Sequence, residues 1–145
     1  MKKQSLYQRA VGLLARREHS AAELKSKLVK AEFDSDEIDA LLVKLASANL
    51  QSDERFAQNY LRYRAHRGYG LQRIRQELKE RGVATDIING ALEQTDIDWF
   101  SLATSVRCKR FGEQEPDDFK QRAKQQRFLQ YRGFTHEQIT ESFNS

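Results

Sequence analysis

Few side chains in this 145-residue sequence have the type and spacing for covalent or metal chemistry. His19, His66 and His136 fall in different parts of the chain, at no spacing that would converge on one ion, and Cys108 has neither Cys nor His beside it. Solvated or hydrogen-bonded side chains account for them. Gly68-Tyr69-Gly70 has the look of a phosphate loop, but a third glycine is missing and a helical pattern, not a strand, precedes it. It reads as a helix terminator whose glycines supply the left-handed conformation. Asp34-Ser35-Asp36-Glu37, with Asp39, has some calcium-loop character, yet Asp39 stands where such a loop turns on glycine. A capped acidic helix explains it better. No catalytic set, metal site or cofactor site is expected, and the protein is predicted not to be an enzyme.

What remains is ionic. The formal charge is only +4, from 25 Lys and Arg against 21 Asp and Glu, too small an excess to diagnose a partner. Its distribution says more. Arg62, Arg64, Arg67, Arg73, Arg75, Lys79 and Arg81 face only Glu77 and Glu80 in the same stretch. From Lys120 to Arg132 there are five basic residues and no acid, while acids gather elsewhere, as around Asp36. Charge segregated in this way steers charged partners, and the arginine fork that dominates the first stripe suits phosphate and carboxylate. Arg73 and Arg75 diverge by about 200° on a helix, so a continuous patch requires two helices to pool their outer sides. The bland alternative is a solvated face with local pairs such as Arg73 with Glu77. The seven basic residues of the first stripe, with Tyr69, Lys120, Lys124, Arg127 and Arg132, are the candidate binding residues. Tyr60, Tyr63, Tyr69 and Tyr131 sit among the charges, and packing anchors with a wet hydroxyl suit them better than platforms for bases.

The elements that must position these side chains are repeated. Leu24, Leu28, Phe33, Ile38 and Leu42 recur fifty residues on as Ile74, Leu78, Val83, Ile88 and Leu92. Most recur fifty-one residues later as Leu129, Phe134, Ile139 and Phe143, with polar Gln125 standing where Leu24 and Ile74 do. Period-two alternation is missing and Pro116 is the one proline. The predicted fold is therefore all-α, an elongated array of three tandem three-helix repeat modules over 1–50, 51–95 and 96–145. Ser5, Ser20 (with Glu23 in capping-box spacing) and Asp34 or Ser35 open the helices of the first module. Ser52-Asp53 opens the second, anchored by Phe56, Tyr60, Leu61 and Tyr63; its second helix spans Leu71 to Arg81, stopped by Gly82, and Thr85 caps its third. Asp96-Ile97-Asp98-Trp99 opens the third module, burying Trp99, Leu102, Ala103 and Val106. There Pro116 falls in the first turn of a helix reaching Arg132, and a short last helix with Ile139 and Phe143 is prone to fray. An array of this kind presents a long surface instead of a pocket. One cysteine allows no internal disulfide, and no apolar segment reaches the length of a secretion signal or a membrane span. A cytoplasmic monomer without membrane contact is expected.

The runs Ser52-Asp53-Glu54-Arg55-Phe56-Ala57, Arg67-Gly68-Tyr69-Gly70-Leu71-Gln72-Arg73-Ile74-Arg75-Gln76-Glu77-Leu78 and Arg81-Gly82-Val83 resemble the central module of the bacterial regulatory RecX family. Asp96-Ile97-Asp98-Trp99 and Gln126-Arg127-Phe128-Leu129-Gln130-Tyr131-Arg132-Gly133-Phe134 are similar to its third module. The resemblance spans essentially the whole chain; a compact linker in the first unit and a short N-terminal tail set this sequence apart. It implies three tandem three-helix modules and a non-enzymatic modulator of the RecA recombinase. Members of that family lie in the helical groove of the RecA–DNA filament, where they inhibit ATP hydrolysis, strand exchange and LexA cleavage and limit filament extension. The implied partner is the RecA filament on single-stranded DNA, with direct DNA contact left open. Two rivals stay open beside it. One is a general DNA-binding protein of tandem helix-turn-helix-like modules, offering Gln72 and Arg73 to base edges; the other is a scaffold adaptor with no nucleic-acid role.

Overall fold

The apolar periodicity folds as helices throughout. The computed structural model describes residues 4–144, and among them nine helices and no strand form. They are α1 (Leu6–Arg16), α2 (Ala21–Lys30), α3 (Ser35–Ser47), α4 (Asp53–His66), α5 (Leu71–Glu80), α6 (Thr85–Gln94), α7 (Trp99–Phe111), α8 (Phe119–Arg132) and α9 (His136–Ser142). Ser5, Ser20 and Thr135 close capping boxes, each accepting from the backbone three residues on while a Gln or Glu there accepts from the cap's own N–H. Asp34, Asp98 and Asp118 cap α3, α7 and α8. Two starts differ from expectation. Thr85 is the first residue of α6 and not its cap, and Pro116 lies outside α8, which begins at Phe119 behind Asp118.

Packing divides the chain into two compact units. One runs to Tyr60 and takes in Leu78–Ala91; the other holds Leu61–Glu77 and the chain from Leu92 onward. In the first unit Ala10, Leu24, Leu28, Ile38 and Leu45 form a buried cluster with Leu14, Phe33 and Leu42 packed against it. In the second unit Ala103, Leu129, Phe134, Ile139 and Phe143 form the corresponding cluster. Gln125, at the polar position of the repeat, is also buried, and its Oε1 finds no hydrogen-bond partner among the described residues. Trp99, expected in the core, is only half-buried, and the supposed anchor Tyr63 is 57% exposed. The short α9 is tied down, not loose. The buried Arg107 donates from Nε and Nη2 to the Ser142 carbonyl at 3.1 and 2.8 Å and lies over the Phe143 ring.

One local geometry occurs three times. Just past the ends of α2, α5 and α8 a residue has positive φ: Glu32 at 70°, Gly82 at 79° and Gly133 at 102°. The next N–H reaches back to the carbonyl five residues earlier, as Phe33 to Leu28, Val83 to Leu78 and Phe134 to Leu129. The glycine turns also serve as joints. In the first unit the Gly82 turn seats on the start of α2: Ser20 Oγ donates to the Arg81 carbonyl at 2.7 Å, and a Cβ on Gly82 would stand 2.4 Å from that of Ala22. In the second unit the Gly133 turn seats on the start of α5. There Gly70 N–H donates to the Arg132 carbonyl at 2.7 Å and Gln72 N–H to the Gly133 carbonyl at 3.0 Å. A Cβ on Gly133 would lie 2.4 Å from the Cβ of Arg73, and one on Gly70 only 2.5 Å from the Gly133 carbonyl. Gly70 is therefore required by close backbone approach; unlike Gly68, it does not occupy the left-handed region. The Glu32 turn carries a side chain at the position both joints reserve for glycine.

The first unit also buries an imidazole. His19 is 1% exposed, with Nδ1 3.0 Å from the Arg17 carbonyl and Nε2 2.9 Å from Lys27 Nζ. Those partners fit a neutral ring that donates from Nδ1 and accepts at Nε2. Burial first of all lowers its pKa below the ordinary value, with the Arg17 and Lys27 charges adding to it against the Arg17 carbonyl.

Gly133→Ala should lower the unfolding free energy by about 2 kcal/mol or more, through contact with Arg73 and a left-handed alanine. Glu32→Gly should leave it unchanged or raise it by up to about 1 kcal/mol, since only backbone strain is relieved. Urea titrations followed by helical circular dichroism measure both, and an unchanged midpoint for Gly133→Ala would remove the joint from the account. As for His19, the unfolded chain takes up its proton at higher pH than the folded one, so the contribution is complete above about pH 6.5 and lost as pH falls further. Thermal midpoints measured from about pH 7 to about pH 5 should fall less steeply in His19→Gln than in the parent chain.

Candidate cationic interface

The second unit gathers the predicted arginines around one ring. Tyr69, held in the turn between α4 and α5, has the guanidinium of Arg64 3.8 Å from its ring centroid, Arg73 at 4.6 Å and Arg132 at 4.7 Å. Glu77, one helical turn after Arg73, serves two of the three cations. Its carboxylate accepts from Arg64 Nε and Nη2 at 2.8 and 2.9 Å, a bidentate pair, and from Arg73 Nε at 3.2 Å. Arg73 Nη1 donates to the Tyr131 carbonyl at 3.3 Å, and Arg132 Nη1 donates to the Arg67 carbonyl at 3.1 Å. The first of these bonds ties α5 to the end of α8 and the second ties that end to the Gly68 turn, so the cluster is the electrostatic half of the glycine joint. The local pair of Arg73 with Glu77 is real, and Glu77 takes Arg64 as well.

The remaining candidates divide by exposure. Arg62 and Arg67 are exposed on and just after α4, with Arg67 5.3 Å from the Tyr63 ring. Arg75 is half-buried on α5. Lys79, exposed, and Arg81, half-buried at 4.7 Å from the Tyr60 ring, belong to the first unit, so the stripe read as continuous in sequence is shared between two packing units. Lys120, Lys124, Arg127 and Tyr131 all fall within about 60° on α8, and all four are exposed. Tyr131, 75% exposed, lies over Arg73 at 5.0 Å, so this α8 face abuts the Tyr69 cluster. Neither Tyr63 nor Tyr131 is a packing anchor. Arg132 lies off that face, turned inward to Tyr69. Lys109 and Arg110, near the end of α7, are exposed cations that sequence reasoning passed over because they form no stripe. Arg107 was missed likewise; nothing in its spacing distinguishes a buried arginine from a solvated one.

Comparison with known proteins identifies the family of the chain. Residues 52–92 match the model of the second three-helix domain of RecX, residues 96–142 the third and residues 7–45 the first. The chain belongs to the RecX family. It is 43% identical over 130 residues to the regulatory protein RecX of Halorhodospira halophila, covering 90% of this chain and 81% of that one. To that of Legionella pneumophila it is 41% identical over 134 residues, covering 92% and 89%. The crystal structure of RecX from Lactobacillus salivarius superposes with a TM-score of 0.80 at 21% identity, over 96% of this chain and 92% of that one. A second crystal structure of a regulatory protein RecX gives 0.83 at 25% identity, over 96% and 71%. This RecX-family chain thus has the three-helix domains that the repeats announce. Among the described residues no His, Cys, Asp or Glu cluster is arranged to hold a metal ion, and no helix is long and apolar enough to cross a membrane.

Removing the shared carboxylate tests the cluster. Glu77→Gln leaves two half-buried guanidiniums without their counter-charge and should cost about 2 kcal/mol of stability. That is below the loss for a fully buried pair, because the three side chains keep 15–29% exposure. Urea unfolding measures it; a midpoint equal to that of the parent chain would mean water replaces Glu77 without loss.

Proposed function

We propose that this RecX-family chain is a regulatory protein that modulates, mainly by inhibition, the RecA recombinase. It binds in the groove of the RecA–DNA filament and so reduces ATP hydrolysis, strand exchange, LexA cleavage and filament extension. Family membership over all three domains carries the reading. On this reading the protein is a cytoplasmic monomer without enzymatic activity, and the modules 1–50, 51–95 and 96–145 act as successive binding units. The exposed cations Arg62, Arg67, Lys79, Lys120, Lys124 and Arg127 meet RecA carboxylates or phosphate. Contacts to more than one protomer make binding multivalent, strong on assembled filament and weak on free RecA. The inner cations Arg64, Arg73 and Arg132 hold the modules in the binding geometry.

The general DNA-binding alternative has less support. A recognition helix enters the major groove by its N-terminal residues. The start of α5 is covered by the Gly133 turn, which accepts the Gln72 N–H, while Arg73 is committed to Glu77 and the Tyr131 carbonyl. The start of α2 is covered in the same way by the Gly82 turn.

The deciding measurement compares binding to RecA-coated and naked single-stranded DNA at ~0.2 M salt, where purely phosphate-based affinity has fallen by orders of magnitude. The parent chain should stay on the coated strand and suppress its ATPase. Lys120→Glu/Lys124→Glu/Arg127→Glu should weaken both by about tenfold with helicity unchanged. Equal retention on coated and naked strands would favour the DNA-binding alternative and retire the filament reading.

A further inference from the structure

A groove of about 740 Å³ lies between the start of α7 and α9, within the second unit. Phe100, Ser101 and Thr104 line it from α7, and Glu137 and Glu141 from α9, beside His136. No Lys or Arg lines it, in a chain that carries 25 of them. Helix stability does not account for the two glutamates. They stand one turn apart on α9 as a like-charge pair, which weakens a helix. Glu141 also falls in the last turn, where the macrodipole favours a cation and where α9 has none. Neither carboxylate makes an ion pair among the described residues.

The α7 wall adds acceptors to this charge. Ser101 Oγ donates to the Asp98 carboxylate at 2.9 Å and Thr104 Oγ1 to the Phe100 carbonyl at 3.3 Å. With their protons so used, both oxygens keep only lone pairs for a further partner. Carboxylates and acceptor-only hydroxyls call for a ligand made of donors, the character of lysine and arginine side chains. Phe100, 43% exposed, decides between the two. A planar guanidinium stacks on a ring face and still points its N–H groups, in its own plane, at carboxylate oxygens. An aliphatic ammonium or polyamine answers the charge but brings no flat cation to the ring. The volume is that of a small-ligand site and admits about one or two side chains of an extended segment.

We propose that this groove binds an arginine-bearing segment of a protein partner. A guanidinium lies on the Phe100 ring, and Glu137 and Glu141 accept its N–H groups. The site uses none of the cations assigned to filament docking and does not depend on that reading. The test is an amide NMR titration of the isotope-labelled full chain with the blocked peptide Gly-Arg-Gly-Arg-Gly at ~50 mM salt. Shifts should concentrate at the start of α7 and along α9, leave the acidic α3 in place, and give a Kd of about 1 mM or below. Glu137→Gln/Glu141→Gln should weaken binding about fivefold. Both side chains are exposed, so helicity should persist. Phe100→Leu, which keeps an apolar wall and removes the ring, should weaken binding about threefold. Absence of shifts in these helices, an equal response of α3, or unchanged affinity in either variant would overturn the proposal. Equal affinity for the matching citrulline peptide or for spermidine would overturn it as well.

Discussion

Two helices can meet backbone to backbone only where nothing stands between them, and this constraint underlies the whole second unit. Gly133 and Gly70 bring the end of α8 against the start of α5 closely enough for two main-chain hydrogen bonds. Those bonds satisfy N–H groups that a helix start leaves without internal partners. The joint is thus a cap supplied by the next module. The first unit solves the same problem with one change: Ser20 is present where Gly70 stands in the repeat, and its hydroxyl reaches the Arg81 carbonyl. Side-chain oxygen replaces backbone amide, and the joint survives with a serine on one side.

The arginines take their roles from this geometry. Once the two turns are seated, Arg64, Arg73 and Arg132 are drawn onto the Tyr69 ring, where repulsion among three guanidiniums is offset by the ring face, by Glu77 and by backbone carbonyls. A half-buried guanidinium bonded in this way stabilises the module contact and is poorly placed to grip a partner. Cations that meet no such ring-and-carboxylate cage, as on the outer face of α8, keep their charge toward water. Charge in this protein therefore does two jobs, and burial sorts which residue does which. Polar groups inside the core carry a different cost. Arg107 Nη1 and Gln125 Oε1 are buried without hydrogen-bond partners among the described residues, in the unit where the repeat is least regular, and unpartnered buried polar atoms reduce stability.

Much of the architecture was legible in the sequence because helices announce themselves locally. Leu24, Ile38, Ile74, Ile88, Leu129 and Ile139, spaced by the repeat, are all buried, and Ser20 with Glu23 forms the box its spacing promised. Errors arose where a residue's role depends on what lies across from it. Trp99 is hydrophobic enough for a core and sits half outside one; Tyr63 and Tyr131 have the size of anchors and point to solvent. Gly70 was read for its dihedral freedom, when the approach of the Gly133 carbonyl is what requires it.

The sequence by itself determined the helical class, the threefold repetition, the family and the unevenness of charge, because each is written in residue types at short or fixed separations. Tertiary structure alone decided which cations are spent inside and which remain outside. Arg73 and Lys124 are equally basic as letters; only the folded chain sets one against Glu77 and the Tyr131 carbonyl and leaves the other in water. It alone, too, brought Arg67 beside Lys109 and Arg110, residues some forty positions apart whose proximity no periodicity encodes. The physical reason is that electrostatic role depends on distance and desolvation, and both are properties of the packed chain.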